Sequence, residues 1–123
     1  MNWRGSRLPW LVGSLGFAGL IFYFSTVPMT GEEPFVGFSG VDKAAHGVEF
    51  FILTLLAIPA LPRGYQWKRK MVVIISLTAG YGAFIELYQG FLPTRGMSIY
   101  DWGADLIGIG GAIVLATVKR IRD

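Results

Sequence analysis

From Leu8 to Val27 no residue carries a charge, and at about 1.5 Å per residue a helix over that run is roughly 30 Å long, the thickness of a hydrocarbon core. An apolar stretch of that length has few folded uses in water. Three further apolar segments start near Asp42, Met71 and Trp102. Together they predict an all-α integral membrane bundle of four transmembrane helices, at about 8–28, 42–62, 71–92 and 102–118. Proline marks the boundaries: Pro9 falls in a first turn, where the missing N–H is harmless, while Pro28 and Pro93 end the first and third runs. With 53% hydrophobic and 15% charged residues among 123, the chain is more apolar than a small soluble domain, and it reads as a single domain, 1–123. A cleaved leader is the competing reading of Arg4 and Arg7 before an apolar run. The run is too long for one, and no small-x-small cleavage signal follows it.

The connectors assign sides. Arg63, Lys68, Arg69 and Lys70 crowd the short second connector with no acid among them, and Lys119, Arg120 and Arg122 close the chain. Placing both termini and that connector together gathers nine of the eleven Lys and Arg residues on one face and leaves Lys43 and Arg95 on the other. This positive-inside pattern predicts cytoplasmic N- and C-termini. It also accounts for the net charge of +3, because the cations flank apolar runs instead of interleaving with aromatics, and it argues against a nucleic-acid partner. Without cysteine there is no disulfide, thiolate metal site or thiol nucleophile. No cofactor is expected.

The residues to be explained are the ionisable ones within the apolar segments, where translocon-type scales put a central acid or base at roughly 2.5–3.5 kcal/mol. Asp42, His46 and Glu49 fall on one face of the second predicted helix, Glu86 and Gln89 on one face of the third, and Asp101 and Asp105 on one face of the fourth. Counting inward from the outer ends places Glu49, Glu86 and Asp105 at a common depth of roughly 6–11 Å. The outer half thus holds five acids, Asp42, Glu49, Glu86, Asp101 and Asp105, against Lys43, Arg95 and the titratable His46. Protonation, water, or a cationic ligand or metal would relieve such an excess. Arg95 is the natural neutraliser, since its fork holds a carboxylate or a phosphate equally well. In the fourth segment Ala104, Gly108, Ala112 and Ala116 form a small-residue stripe suited to close helix packing, within the chain or between copies.

The pieces DKAAHGVEFF (42–51) and IELYQGFLPTRGMSIYDWGADLIG (85–108), with the four-helix layout, resemble the VanZ-like family of small bacterial membrane proteins. The family pattern falls here on Asp42, Lys43 and His46, then Glu86 and Gln89, then Arg95, Ser98 and Asp101. The family usually has Asn where this chain has Asp105. The resemblance implies a multi-pass protein of the bacterial cytoplasmic (inner) membrane, in a family some of whose members are associated with reduced sensitivity to glycopeptide antibiotics such as teicoplanin.

Several readings follow. In the first, Asp42, Lys43, His46, Glu49, Glu86, Gln89, Arg95, Ser98, Asp101 and Asp105 line an outward-facing pocket for a polar envelope molecule, a lipid head group or a cell-wall precursor. In the second, His46 is a general base or acid, Glu86 or Asp101 orients it, Arg95 clamps a phosphoryl or acyl substrate, and Ser98 is either a nucleophile or, more simply, a helix cap. In the third, the polar groups pair with one another and only fix helix packing. An ion pathway is disfavoured, because the inner halves of the segments hold no ionisable residue to continue a relay. No metal is expected: His46 and Glu49 with Glu86 and an Asp offer mixed ligands, but one His and no Cys make a weak set.

Overall fold

The computed structural model describes residues 6–26, 39–62, 64–92 and 97–122, with the side chains of the second helix described from Lys43 onward. The described residues form four helices, α1 (Leu8–Thr26), α2 (Ser39–Ala60), α3 (Trp67–Gln89) and α4 (Ile99–Arg122). Leu8–Thr26, Lys43–Ala60 and Trp67–Gln89 are long and apolar enough to cross a membrane. Their outward faces are apolar as well: Leu15, Leu77, Phe84 and, on α4, Ile107 are all more than half exposed, a coat that water would penalise and lipid would not.

Local chemistry explains where each helix begins and ends. The α1 start is held by Ser6, whose Oγ accepts the Leu8 N–H at 3.1 Å. At the far end of α2, Pro59 stays within the last turn, and Arg7 donates to the Ala60 carbonyl at 3.1 Å, satisfying one of the acceptors that a helix end leaves open. The α3 helix starts at Trp67, not near residue 71, so Lys68, Arg69 and Lys70 lie in its first turn. Cations there oppose the helix dipole, and aromatic contacts hold that end instead. The Trp67 indole donates to Thr117 Oγ1 at 3.3 Å, and the Arg120 guanidinium lies 4.9 Å from the Trp67 ring. Gly90 closes α3, its N–H reaching the Glu86 carbonyl at 3.1 Å. The α4 helix is longer than its apolar run at both ends, with Asp101 in its first turn and Lys119, Arg120 and Arg122 in its last, an arrangement that suits the dipole at both termini.

The helices run alternately up and down, which gives the bundle two chemically different ends. At one, Arg7 meets the end of α2, and Trp67 meets Thr117 and Arg120. At the other, Gln89 donates to the Ser25 carbonyl at 2.9 Å, joining α3 to α1, and the starts of α2 and α4 meet through His46 and Asp105. Between them lies a core of Ile21, Phe50, Leu53, Ile85 and Ile109, with the Tyr81 hydroxyl bonded to the Ala18 carbonyl. The closest helix crossing is α2 on α4, where a Cβ added at Gly108 would collide with the backbone of Gly47.

Candidate functional site

Four ionisable side chains from three helices converge at the end of the bundle opposite the basic connector. His46 of α2, Glu86 of α3, and Asp101 and Asp105 of α4 are 6%, 4%, 7% and 0% exposed. The His46 ring bridges the two aspartates. Its Nδ1–H donates to Asp105 Oδ1 at 3.0 Å, while Nε2 lies 3.8 Å from Asp101 Oδ2. Lys43, one turn earlier on α2, places its ammonium 3.7 Å from Asp101 Oδ1 and is the half-exposed rim of the group. One ligand atom each from His46, Glu86 and Asp101 lie within 4.8 Å of one another.

Two glycines make this convergence sterically feasible. Gly108 lets α4 lie against Gly47, the residue next to His46, and so brings the α2 imidazole within reach of the α4 carboxylates. Gly82, one turn before Glu86, leaves a notch for Asp105: a Cβ there would stand 2.8 Å from Asp105 Oδ2 and 3.4 Å from both Phe50 and Trp102. Trp102 is fixed in turn by its indole N–H on the Ala79 carbonyl at 3.0 Å.

Ser98 acts as the cap of α4, its Oγ accepting the Asp101 N–H at 3.3 Å. In an ordinary capping box the acid three residues on reaches back to the cap's own N–H. Here Glu86 of α3 takes that bond, with Oε2 accepting the Ser98 N–H at 3.0 Å. Asp101 is thereby released to face Lys43 and His46.

The sequence-based expectations are met unevenly. His46, Glu86, Asp101 and Asp105 come together, with Lys43 at their edge. Glu49, expected at the common depth, is half-buried one turn beyond His46 and is not among the converging ligand atoms. Gln89 is buried, and its amide N–H₂ ties α3 to α1 through Ser25. The carboxylate at hydrogen-bond distance from the His46 ring is Asp105, not Glu86 or Asp101, because the α2–α4 crossing brings Asp105 against Nδ1. Asp42 is in the first turn of α2, since that helix begins at Ser39; its side chain, like Arg95, lies outside the described residues. Of the small-residue stripe, Gly108 and Ala112 are buried within the chain, Gly108 directly against α2. Gly47 and Gly82 are not among the expected site residues. The available signal was positional, since Gly82 precedes Glu86 by four residues and Gly47 adjoins His46.

Among the described residues of the cluster, three carboxylates face one lysine and one imidazole. Glu86 Oε1 is buried and, among the described residues, has no hydrogen-bond partner, an omission that costs about 1–3 kcal/mol for a polar group and more for a charged one. The arrangement can do three things chemically: orient an imidazole for proton transfer, attract a positive group, or ligate a cation through nitrogen and oxygen. A separate surface cavity lined by Leu115, Val118, Lys119 and Arg122 belongs to the other end of α4. No protein-family model, curated protein or solved structure matches the chain.

Proposed function

We propose that the chain is a four-span protein of the bacterial cytoplasmic membrane, of the VanZ-like type, whose polar end faces outward and binds a polar envelope molecule, a lipid head group or a lipid-linked cell-wall precursor. Both termini are then cytoplasmic. The support for orientation is the charge asymmetry, since Arg7, Lys68, Arg69 and Lys70, and Lys119, Arg120 and Arg122 at the end of α4, belong to the end away from His46. Support for the resemblance comes from the residues that carry it, because Lys43, His46, Glu86, Ser98 and Asp101 are neighbours in space although they come from three helices and a loop.

The observation that carries the binding reading is the buried oxygen Glu86 Oε1, partnerless among the described residues, beside the carboxylates of Asp101 and Asp105. Groups that only fixed packing would be expected to satisfy each other. Intramembrane ionisable residues with residual capacity mark ligand pathways by default. The test is binding of labelled phospholipid and of a lipid-linked precursor to the full chain in nanodiscs. Wild type is expected to bind one of them, and Glu86→Gln to bind it at least about tenfold more weakly, the fold-change that 1.4 kcal/mol represents. Equal binding by both proteins sinks this reading in favour of a packing role. A link to glycopeptide sensitivity is tested by expressing the chain in a susceptible host, where wild type is expected to raise the inhibitory concentration of teicoplanin and Glu86→Gln to leave it unchanged.

A second reading has one observation in its favour, the 3.0 Å contact between His46 and Asp105. A carboxylate on Nδ1 fixes the imidazole tautomer and leaves Nε2 as the working nitrogen of a general base. In that reading Asp105 is the positioning residue and His46 the catalytic one. Turnover of a phospholipid or lipid-linked substrate by purified protein, lost in His46→Gln, would establish it.

A further inference from the structure

We propose that His46, Glu86 and Asp101 form a binding site for a divalent transition-metal cation, zinc or manganese. The inference deepens the reading of the cluster as a ligand site, but it does not depend on which envelope molecule binds there.

Three separate features of the geometry point to an ion. The first is reach. Metal–nitrogen and metal–oxygen bonds of about 2.0–2.2 Å put two ligands on one ion at most about 4.4 Å apart. The Nε2–Oδ2 separation of 3.8 Å already lies inside that limit, and the 4.8 Å bound on the whole trio is within a small side-chain adjustment of it. The second is the second shell. A histidine that ligates through one nitrogen characteristically gives its other N–H to a carboxylate, which fixes the tautomer and raises ligand basicity. Asp105 does this at Nδ1, 3.0 Å away, and Nε2 lies on the side of Asp101, 3.8 Å from its Oδ2. The carboxylate ligands are held in the same way, Glu86 through Oε2 by the Ser98 N–H and Asp101 through the Lys43 ammonium near Oδ1. The third is the vacant acceptor: Glu86 Oε1 is buried at 4% residue exposure, shares the cluster, and has no hydrogen-bond partner among the described residues.

Charge and ligand type agree. Among the described residues, and with His46 neutral, three carboxylates against one lysine leave two negative charges in excess, which a divalent ion cancels. One imidazole with two carboxylates and no thiolate suits zinc or manganese better than a soft cation. Three protein ligands leave at least one coordination position open. A phosphate or carboxylate oxygen of an envelope molecule can fill it, so an anion-bearing head group is accommodated at an acidic site.

The experiment uses the full chain in detergent, stripped with chelator and titrated calorimetrically with ZnCl₂ or MnCl₂ alone. Wild type is expected to bind one ion per chain. Glu86→Gln and His46→Gln should each weaken binding by more than about tenfold, and Asp105→Asn, which alters only the second shell, by about 10–100-fold. Circular dichroism and gel filtration identify any variant that fails to fold. X-ray absorption on wild-type protein supplies an answer independent of the variants, with one nitrogen and several oxygens in the first shell. Failure of wild type to bind either ion, binding unchanged in folded Glu86→Gln, or a first shell lacking histidine overturns the proposal. The two readings fail separately. Head-group binding that persists in metal-free protein and is lost in Glu86→Gln keeps the ligand site and removes the metal, whereas metal binding without any head-group binding does the reverse.

Discussion

At the scale of single residues, Asp105 decides the state of His46. It is fully buried, accepts the imidazole N–H through one oxygen, and rests its other oxygen over Gly82. Asp105→Ala therefore strands a buried N–H and is expected to lower stability by about 1–3 kcal/mol, with a further cost for the cavity it leaves. Asp105→Asn keeps an acceptor of the same shape and should cost about 1 kcal/mol. Unfolding of the two variants in mixed micelles checks the difference; similar losses would mean that the hydrogen bond to His46 contributes little. Gln89→Leu, which removes the tether to Ser25, is expected to cost about 1 kcal/mol in the same measurement. Helical spacing made the polar faces of the second, third and fourth helices legible, because residues three, four and seven apart must share a side. It could not say which acid the histidine would meet. That choice depends on the angle and depth at which α2 crosses α4, and those are set by residues without side chains.

At the scale of elements, the contact between Gly47 and Gly108 governs the site. Adding a methyl at residue 108 drives it into the Gly47 backbone, and backbone yields far less readily than the end of a side chain. Gly108→Ala is expected to destabilise the bundle by about 1–3 kcal/mol and to weaken ligand or metal binding along with stability. Gly82→Ala should separate these effects: its Cβ meets a carboxylate and two aromatic rings rather than main chain, so binding is expected to fall while the unfolding midpoint moves little. A Gly82→Ala protein that binds normally would show that the notch has no role in the site. All four helices were visible in the hydropathy pattern. Their ends are less so, because a run of charge reads as a stop signal in hydropathy. Lys68 to Lys70 and Lys119 to Arg122 are helical all the same, held by Trp67 stacking and by dipole complementarity, neither of which is read from hydropathy.

At the scale of the whole molecule, the two ends of the bundle differ in charge and in the burial of their ionisable groups, and the proposed topology sends them to opposite sides of the bilayer. The chain has no native cysteine, so single introduced ones report cleanly. Gly64→Cys lies in the exposed basic connector, and Phe91→Cys just beyond α3 at a site 86% exposed. In intact cells an impermeant maleimide is expected to label the second and to reach the first only after permeabilisation. Labelling of both from one side would refute the proposed crossing pattern. The partnership of α2 with α4 also dictates an order of assembly. These helices are separated in the chain by the whole of α3, so His46 and Glu86 are synthesised before Asp101 and Asp105. Until α4 is made, the growing protein carries an imidazole and a carboxylic acid in its apolar segments without their eventual neighbours. A chain truncated after residue 98 is therefore expected to insert slowly or to rely on a chaperone, because α4 and its two aspartates are the last of the four helices to be made.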